Sequence, residues 1–471
     1  MSASDDHAGR LPLRVILPFS TPTLPLSALG LVVFVQLPAY FARDLGVSLT
    51  VIGAAWFLVR MFDAPVDILI ALGMDRSRTR FGRYRVWLIA GAPILIAGLW
   101  ALFMAPPKFS GAYLFSWLLV MYLGLSIMSL AHPAWAATLA THYHERSRLF
   151  GIITAVGVVG TLGVMSLGIF GRPLHLSEAQ SVRAMGWAII ALTPVTVLLA
   201  AAVTREHIEP EDPALRATLR DYAEVLLKPD TLRLFFSQVF TTLGPGWMAA
   251  LYFFFFQDAL GFSYPEASLL LAVYILAQIP GALAFSWIAR RIGKHWALML
   301  AASAFSLGLV MIFVLPKGNV LVALGPMAFE GIAAAGFGQM IQAMLADVAD
   351  EIRLNQGKQR LSLLYAVNGL GSKIAAAIAI GVAYPLLDRL GYHPSGHNGP
   401  AAIANLQLVF LVGPMVFVML GGLCVFGWRL DARRHDAVRA ALEARDASLG
   451  SAEASSPARS PLRTADPEIA A

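Results

Sequence analysis

Arg60, Asp63 and Asp67 sit in a run that is otherwise apolar from about Thr50, and their spacing of three and then four residues places them on one helical face. An ionised group at a bilayer centre costs roughly 2.5–3.5 kcal/mol even on lenient insertion scales, so such groups face a bundle interior or a water-filled cavity. Two carboxylates against one guanidinium leave a negative charge that suits a mobile cation; the alternative is a structural cluster that only neutralises Arg60. Pro65, between the carboxylates, cannot donate to the Met61 carbonyl, so a kink with freed backbone oxygens is expected. Lys373 also falls inside an apolar run, where it either meets a carboxylate or carbonyl across the bundle or snorkels to the surface. Glu330 is a third acid at depth, either a protonatable site or a structural glutamate held as the neutral acid.

The elements that position these groups follow from composition. The chain has 471 residues, 58% hydrophobic and 14% charged, with mean hydropathy +0.67, which marks a polytopic membrane protein. Apolar runs of helix-spanning length recur about twelve times. Their expected extents are Thr21–Ala42, Thr50–Met74, Val86–Ala105, Tyr113–Ala140, a fifth from Leu149, a sixth ending near Val203, then Leu232–Leu260, Glu266–Ala289, Trp296–Leu315, Val320–Ala346, Leu361–Leu387 and Leu406–Trp428. Gly157, Gly160, Gly163 and Gly168 in the fifth suit close helix packing. Four regions result: a six-helix unit over 1–203, a cytoplasmic linker with an amphipathic helix over 204–231, a second six-helix unit over 232–430, and a largely disordered cytoplasmic tail over 431–471 that begins with a short helix.

The two units echo one another. Arg43-Asp44-Leu45-Gly46-Val47-Ser48 is matched by Asp258-Ala259-Leu260-Gly261-Phe262-Ser263, with Gly46 and Gly261 215 residues apart, and Gly82-Arg83 is matched by Gly293-Lys294. Duplicated units of this kind place a substrate site near the midplane between two rocking bundles. Basic residues crowd the connections after even-numbered spans, Arg76 to Arg85 most densely, so both termini are expected in the cytoplasm. The net charge of +6 is explained by these loops, and no nucleic-acid partner is expected. Met1–Arg14 is polar and carries Asp5 and Asp6, so no cleavable signal is expected. The lone Cys424 excludes a disulfide framework.

The stretch RxxDAxxD, a short helical segment, then D-R-x-R-x-R-x-G-R-x-R and Trp87, resembles the glycoside-pentoside-hexuronide:cation symporters, the melibiose-carrier branch of the major facilitator superfamily. Met344 to Asp350, Gly357-Lys358-Gln359-Arg360, Tyr365 and Lys373 resemble the tenth and eleventh helices of the same family, including its helix-eleven lysine. The resemblance implies an all-α fold of twelve transmembrane helices in two six-helix bundles, a cation-coupling site at Asp63 and Asp67, and Lys373 as their partner from the other half. Candidates for solute contact are Trp135, His132, Arg60, Tyr365, Asn368 and Trp247, with Trp56 and Tyr252 as further stacking rings; for each aromatic the competing role is packing. Asp75, Arg83, Asp347, Asp350 and Arg353 are expected in gating or structural ion pairs, as is Glu145 with Arg146 and Arg148.

The sequence departs from the sugar-transporting members at two places. They carry acids inside helices one and four, where this chain has Ser27-Ala28-Leu29 and Ala131-His132. Carboxylates usually grip sugar hydroxyls, so an amphipathic glycoconjugate or lysolipid-like solute becomes as plausible a cargo as a sugar or glycoside. Val66 and Met128 replace polar groups of the sodium-using pattern, which favours a proton over sodium as coupling ion, with Ser126, Ser129 and His132 as remaining polar groups. The expected protein is a secondary transporter, a monomeric symporter of the bacterial inner membrane, with a small solute, a monovalent cation and the bilayer as partners and no cofactor or resident metal. The alternatives are a proton-driven exporter of lipid-like or xenobiotic solutes, a membrane-embedded enzyme and a non-transporting sensor; HExxH, GxSxG and GxxxxGK[ST] motifs are all missing from the sequence.

Overall fold

The computed structural model describes residues 11–77, 79, 81–139, 143–171, 173–204, 206, 226–356, 361–396 and 398–455. Long helices account for nearly all of them. α1 (Leu13–Arg43) is interrupted by a turn at Thr21 and Pro22 and by a π-helical stretch, Val32–Gln36. Then come α2 (Leu49–Arg76), α3 (Tyr84–Phe103), α4 (Gly111–Leu139), α5 (Tyr143–Ile169) and α6 (Glu178–Val203). The second half contains α7 (Pro229–Ala259), α8 (Tyr264–Ile292), α9 (Lys294–Phe313), α10 (Val320–Gln356), α11 (Leu361–Arg389) and α12 (Pro400–Cys424), followed by the tail helix α13 (Ala432–Ser455). Eleven helices among the described residues are long and apolar enough to cross a membrane. The further helix, α2, is 28 residues long, about 42 Å, and carries the buried charges.

Several boundaries differ from expectation. α1 begins at Leu13 because Glu145 accepts the Leu11 amide and Arg148 donates to the Leu11 carbonyl, so these groups hold the start of α1 and the expected ion pair with Arg146 is not what Glu145 shows. α10 extends to Gln356, ten residues past the apolar run, because its polar last turns pack against the tail. The helix expected at the start of the tail is α13, 24 residues long, which buries Val438 and Leu442, one helical turn apart, against the C-terminal half; residues 456–471 lie outside the described residues. Most of the expected linker helix lies outside the described residues.

The duplication read from the sequence repeats in the hydrogen bonds. The Val47 amide reaches the Phe41 carbonyl at 3.0 Å, and the Phe262 amide reaches the Phe256 carbonyl at 3.0 Å. The carbonyls of Leu45 and Leu260 accept from Lys108 and Gly318 in corresponding later loops. Gly46 and Gly261 have φ of 67° and 75°, a left-handed turn that any Cβ would strain, and Ser48 and Ser263 then cap α2 and α8. Within the first half α3 packs on α4 and α1 on α5; within the second, α8 and α9 pack on α10, and α7 on α11 and α12. Across the halves α2 meets α11, α5 meets α8 and α1 meets α7.

Candidate functional site

The α2–α11 seam brings the predicted charges together. Asp63 is 4% exposed, and its Oδ2 accepts from Arg60 at 3.1 Å and from the Lys373 ammonium at 2.8 Å. Lys373 also donates to Oδ2 of Asp67, so one ammonium stands on both carboxylates. Two cations therefore face two anions, and the net negative charge inferred from α2 alone is cancelled by the other half of the molecule. Pro65 lies inside the continuous helix, with the Met61 carbonyl free of its usual donor.

The cluster is braced by groups whose roles a linear sequence does not announce. Ser126 of α4 donates to Asp63 Oδ1 at 2.6 Å. The Arg60 guanidinium lies 4.4 Å from the Tyr122 ring centroid and 4.8 Å from that of Phe34, a cation–π clamp made by α4 and α1. Tyr122 and Ser126 are one turn apart on α4, a faint signal among many apolar and aromatic residues. Asp67 is held differently. Its Oδ1 is buried and has no hydrogen-bond partner among the described residues, and its side chain is more exposed than that of Asp63.

On α11, Asn368 donates to Gln238 of α7 at 3.0 Å, and Gln238 in turn donates to Ser372 at 3.0 Å and to Thr242. Tyr365, one turn earlier on the same helix, is exposed. Gln238 was missed, although a glutamine inside a span is itself a signal. The aromatic candidates fare otherwise. His132 is buried, its Nε2 lies 2.8 Å from the Phe19 carbonyl, and its ring stacks on Phe19 while Trp135 meets the same ring edge-on. Trp247 donates to the Val409 carbonyl at 3.0 Å and packs on Phe417, so it fastens α7 to α12. Tyr252 donates to the Ala267 carbonyl, and Trp56 packs against Phe41. All five are fully or nearly fully buried and occupied by packing in this arrangement.

The predicted gating residues acquire specific partners. Lys294 binds Asp347 at 2.7 Å, His435 of α13 lies 3.3 Å from both Asp347 and Asp350, and Arg439 is 3.8 Å from Asp350. Arg434 pairs with Glu351, and Arg445 donates to the Arg353 carbonyl. The acids of α10 thus meet α9 and the tail, not only the neighbouring basic residues of the sequence. Arg83 donates to the Met74 carbonyl at 3.0 Å; the Asp75 side chain lies outside the described residues. At the opposite end the halves are joined to each other. Arg43 binds Asp258 at 2.8 Å, Tyr392 donates to the same carboxylate, Tyr264 donates to Gln36 at 2.6 Å, and Gln257 donates to Glu178 at 2.8 Å.

The family described as MFS/sugar transport protein matches residues 18–432. The chain belongs to that family. Its relatives support the glycoside-pentoside-hexuronide:cation symporter branch that the two motifs pointed to. An uncharacterized symporter, YnaJ, of Bacillus subtilis (strain 168) is 24% identical over 86% of this chain and 90% of its own length. The sodium-dependent lysophosphatidylcholine symporter 1 of Gallus gallus is 23% identical over 85% of this chain and 83% of its own, and the glucuronide carrier protein homolog of Escherichia coli (strain K12) 22% over 84% and 88%. Among solved structures, the nucleoside transporter NupG matches with TM-score 0.65, 14% identity and coverage of 88% of this chain and 100% of that one; a D-xylose-proton symporter gives 0.63, 14%, 88% and 97%. This major facilitator protein is a multi-pass integral membrane secondary transporter, not an enzyme.

Proposed function

We propose that the protein is a proton-coupled symporter that takes up a sugar, a glycoside or an amphipathic glycoconjugate or lysolipid-like solute across a bacterial inner membrane. The observation that carries this reading is the Lys373 ammonium lying on Asp63 and Asp67 across the seam between the halves. An ammonium on the two carboxylates occupies the place of the mobile cation. A cation arriving at the carboxylates frees Lys373, and freeing Lys373 loosens α11 from α2, so cation binding and the relative position of the halves become one event.

The proton is favoured over sodium because of what surrounds the carboxylates. A hard cation calls for several converging oxygens, about six in the well-studied magnesium and calcium sites. Asp63 already serves Arg60, Ser126 and Lys373, while Val66 and Met128 offer no oxygen. A proton needs one lone pair, and Asp67 Oδ1 offers one. Twelve spans with both termini in the cytoplasm fit the loop charges, and a monomer suffices for this cycle. On that orientation the Arg43–Asp258 end is the outer one, and its ion pair and hydrogen bonds hold the halves together on that side. Tyr365, Asn368 and Gln238 then supply solute contacts from the second half, with Arg60 anchored on Asp63 and Trp135 and His132 reached only if Phe19 moves.

A second reading, proton-driven export of a lipid-like or xenobiotic solute, draws on the loss of acids from the sugar positions. Vesicle uptake of radiolabelled glycosides and lysolipids with a pH gradient or a sodium gradient imposed separately distinguishes the ions. Accumulation is expected to follow the pH gradient, and to be lost in Asp63→Asn and Asp67→Asn variants that still insert. Uptake that follows sodium and ignores pH refutes the proton assignment; uphill accumulation unchanged in both variants refutes the coupling site.

A further inference from the structure

Glu330 is a charge-bearing side chain that the coupling cluster does not use. It is 0% exposed, and neither carboxyl oxygen has a hydrogen-bond partner among the described residues. Its Oε2 rests directly on Gly308 of α9, where a Cβ would have no room, and the next residue, Gly331, backs onto the Tyr274 carbonyl of α8, again with no room for a Cβ. The carboxyl is therefore shut into a slot between α8, α9 and α10. Tyr274 is the titratable group facing it from α8; α9 contributes Gly308, and Phe329 of α10 lies against the same glycine. A carboxylate left unpaired in such a slot costs many times more than its neutral acid, so the slot accepts the acid.

We propose that Glu330 is a second proton-binding site, loaded while α10 is packed on α9 and emptied only when the two helices part. The proposal extends the proton-coupled reading above, but it concerns a different carboxyl. On discharge the carboxyl O–H bond breaks, its electron pair stays on the oxygen as carboxylate, and the proton passes to water. The carboxylate then needs hydration, which the closed slot does not allow. α10 is built to open there: Pro326, one turn before Glu330, removes a backbone hydrogen bond, and Gly325, Gly331, Gly336 and Gly338 add pliancy. Protons are bound in the packed form and lost in the open form, so raising pH favours opening, by up to about tenfold in population per pH unit once the open form ionises.

The test is hydrogen–deuterium exchange of the full chain in detergent at about pH 6 and about pH 8, corrected for the intrinsic base-catalysed rate, in wild type, Glu330→Gln and Asp67→Asn. Protection around Gly308 and Glu330 is expected to fall with pH in wild type and Asp67→Asn, and to be flat in Glu330→Gln, which mimics the loaded acid. An equal pH slope in Glu330→Gln overturns the proposal. A slope abolished by Asp67→Asn alone also overturns it while leaving the coupling assignment standing; gradient-driven uptake that survives Asp67→Asn sinks the coupling assignment without touching Glu330. If Glu330→Gln does not fold, the infrared spectrum of the wild type decides: the deuterium-sensitive carbonyl band of a protonated carboxyl is expected at neutral pH, and its absence refutes the site.

Discussion

Asp63 and Asp67 share Lys373 but differ in everything else. Asp63 is gripped by Arg60, Ser126 and Lys373; Asp67 has Lys373 and a free oxygen. Removing Lys373 leaves two carboxylates for one guanidinium, and breaking a buried pair by deleting one partner costs about 3–5 kcal/mol, less here because the Lys373 side chain is partly exposed. Lys373→Leu is therefore expected to lower the melting temperature in detergent, and adding Asp67→Asn to recover part of the loss; strictly additive effects would show that the two do not interact. The apolar run showed only that Lys373 either meets a carboxylate or carbonyl or snorkels to the surface; it was the family resemblance that implied Asp63 and Asp67 as its partners. The Phe34 and Tyr122 rings that hold Arg60 were not legible in the sequence, since an aromatic in a membrane helix packs against lipid, protein or cation with no difference in its spacing. Trp247 shows the same ambiguity from the other side: its type suggested a solute contact, and its indole N–H turned out to be used by the Val409 carbonyl.

The glycines of α5 illustrate how far spacing can be trusted for a whole helix. Gly157 faces Ser27, Gly160 lies on the Leu24 backbone, and Gly168 faces Met185 and Ser268, but Gly163 faces open space. A repeated glycine marks the seam without marking which turn touches. Gly160→Ala must push α1 away from α5 and is expected to cost about 1–3 kcal/mol, whereas Gly163→Ala should be neutral or slightly stabilising through its helix propensity; parallel thermal melts of the two variants check this. The tail helix was legible as a helix, but its packing was not, because charged residues dominate its composition while Val438 and Leu442, which do the packing, are only two positions. Truncating the chain after Leu430 removes the partners of Asp350 and Glu351 and should speed hydrogen exchange at the end of α10, leaving exchange in α2 unchanged.

For the molecule as a whole, the sequence showed two related halves, and the repeated loop hydrogen bonds show them again. How those halves lean on each other was not legible, since offsets relate a position to its twin and say nothing of contact. Arg43 and Asp258 are such twins, in matching loops, and they bind one another at 2.8 Å. Reversing either charge alone should open this end, read as faster labelling of a cysteine placed at Gln36, and Arg43→Asp with Asp258→Arg should close it again. The contact also carries a record of descent. Had both halves ever been copies of a single chain assembled as a pair, these positions would have held the same residue, arginine facing arginine or aspartate facing aspartate, and would have repelled. An attraction between twins is possible only after the copies were free to differ, so the bond that joins the halves at this end is younger than the duplication that made them.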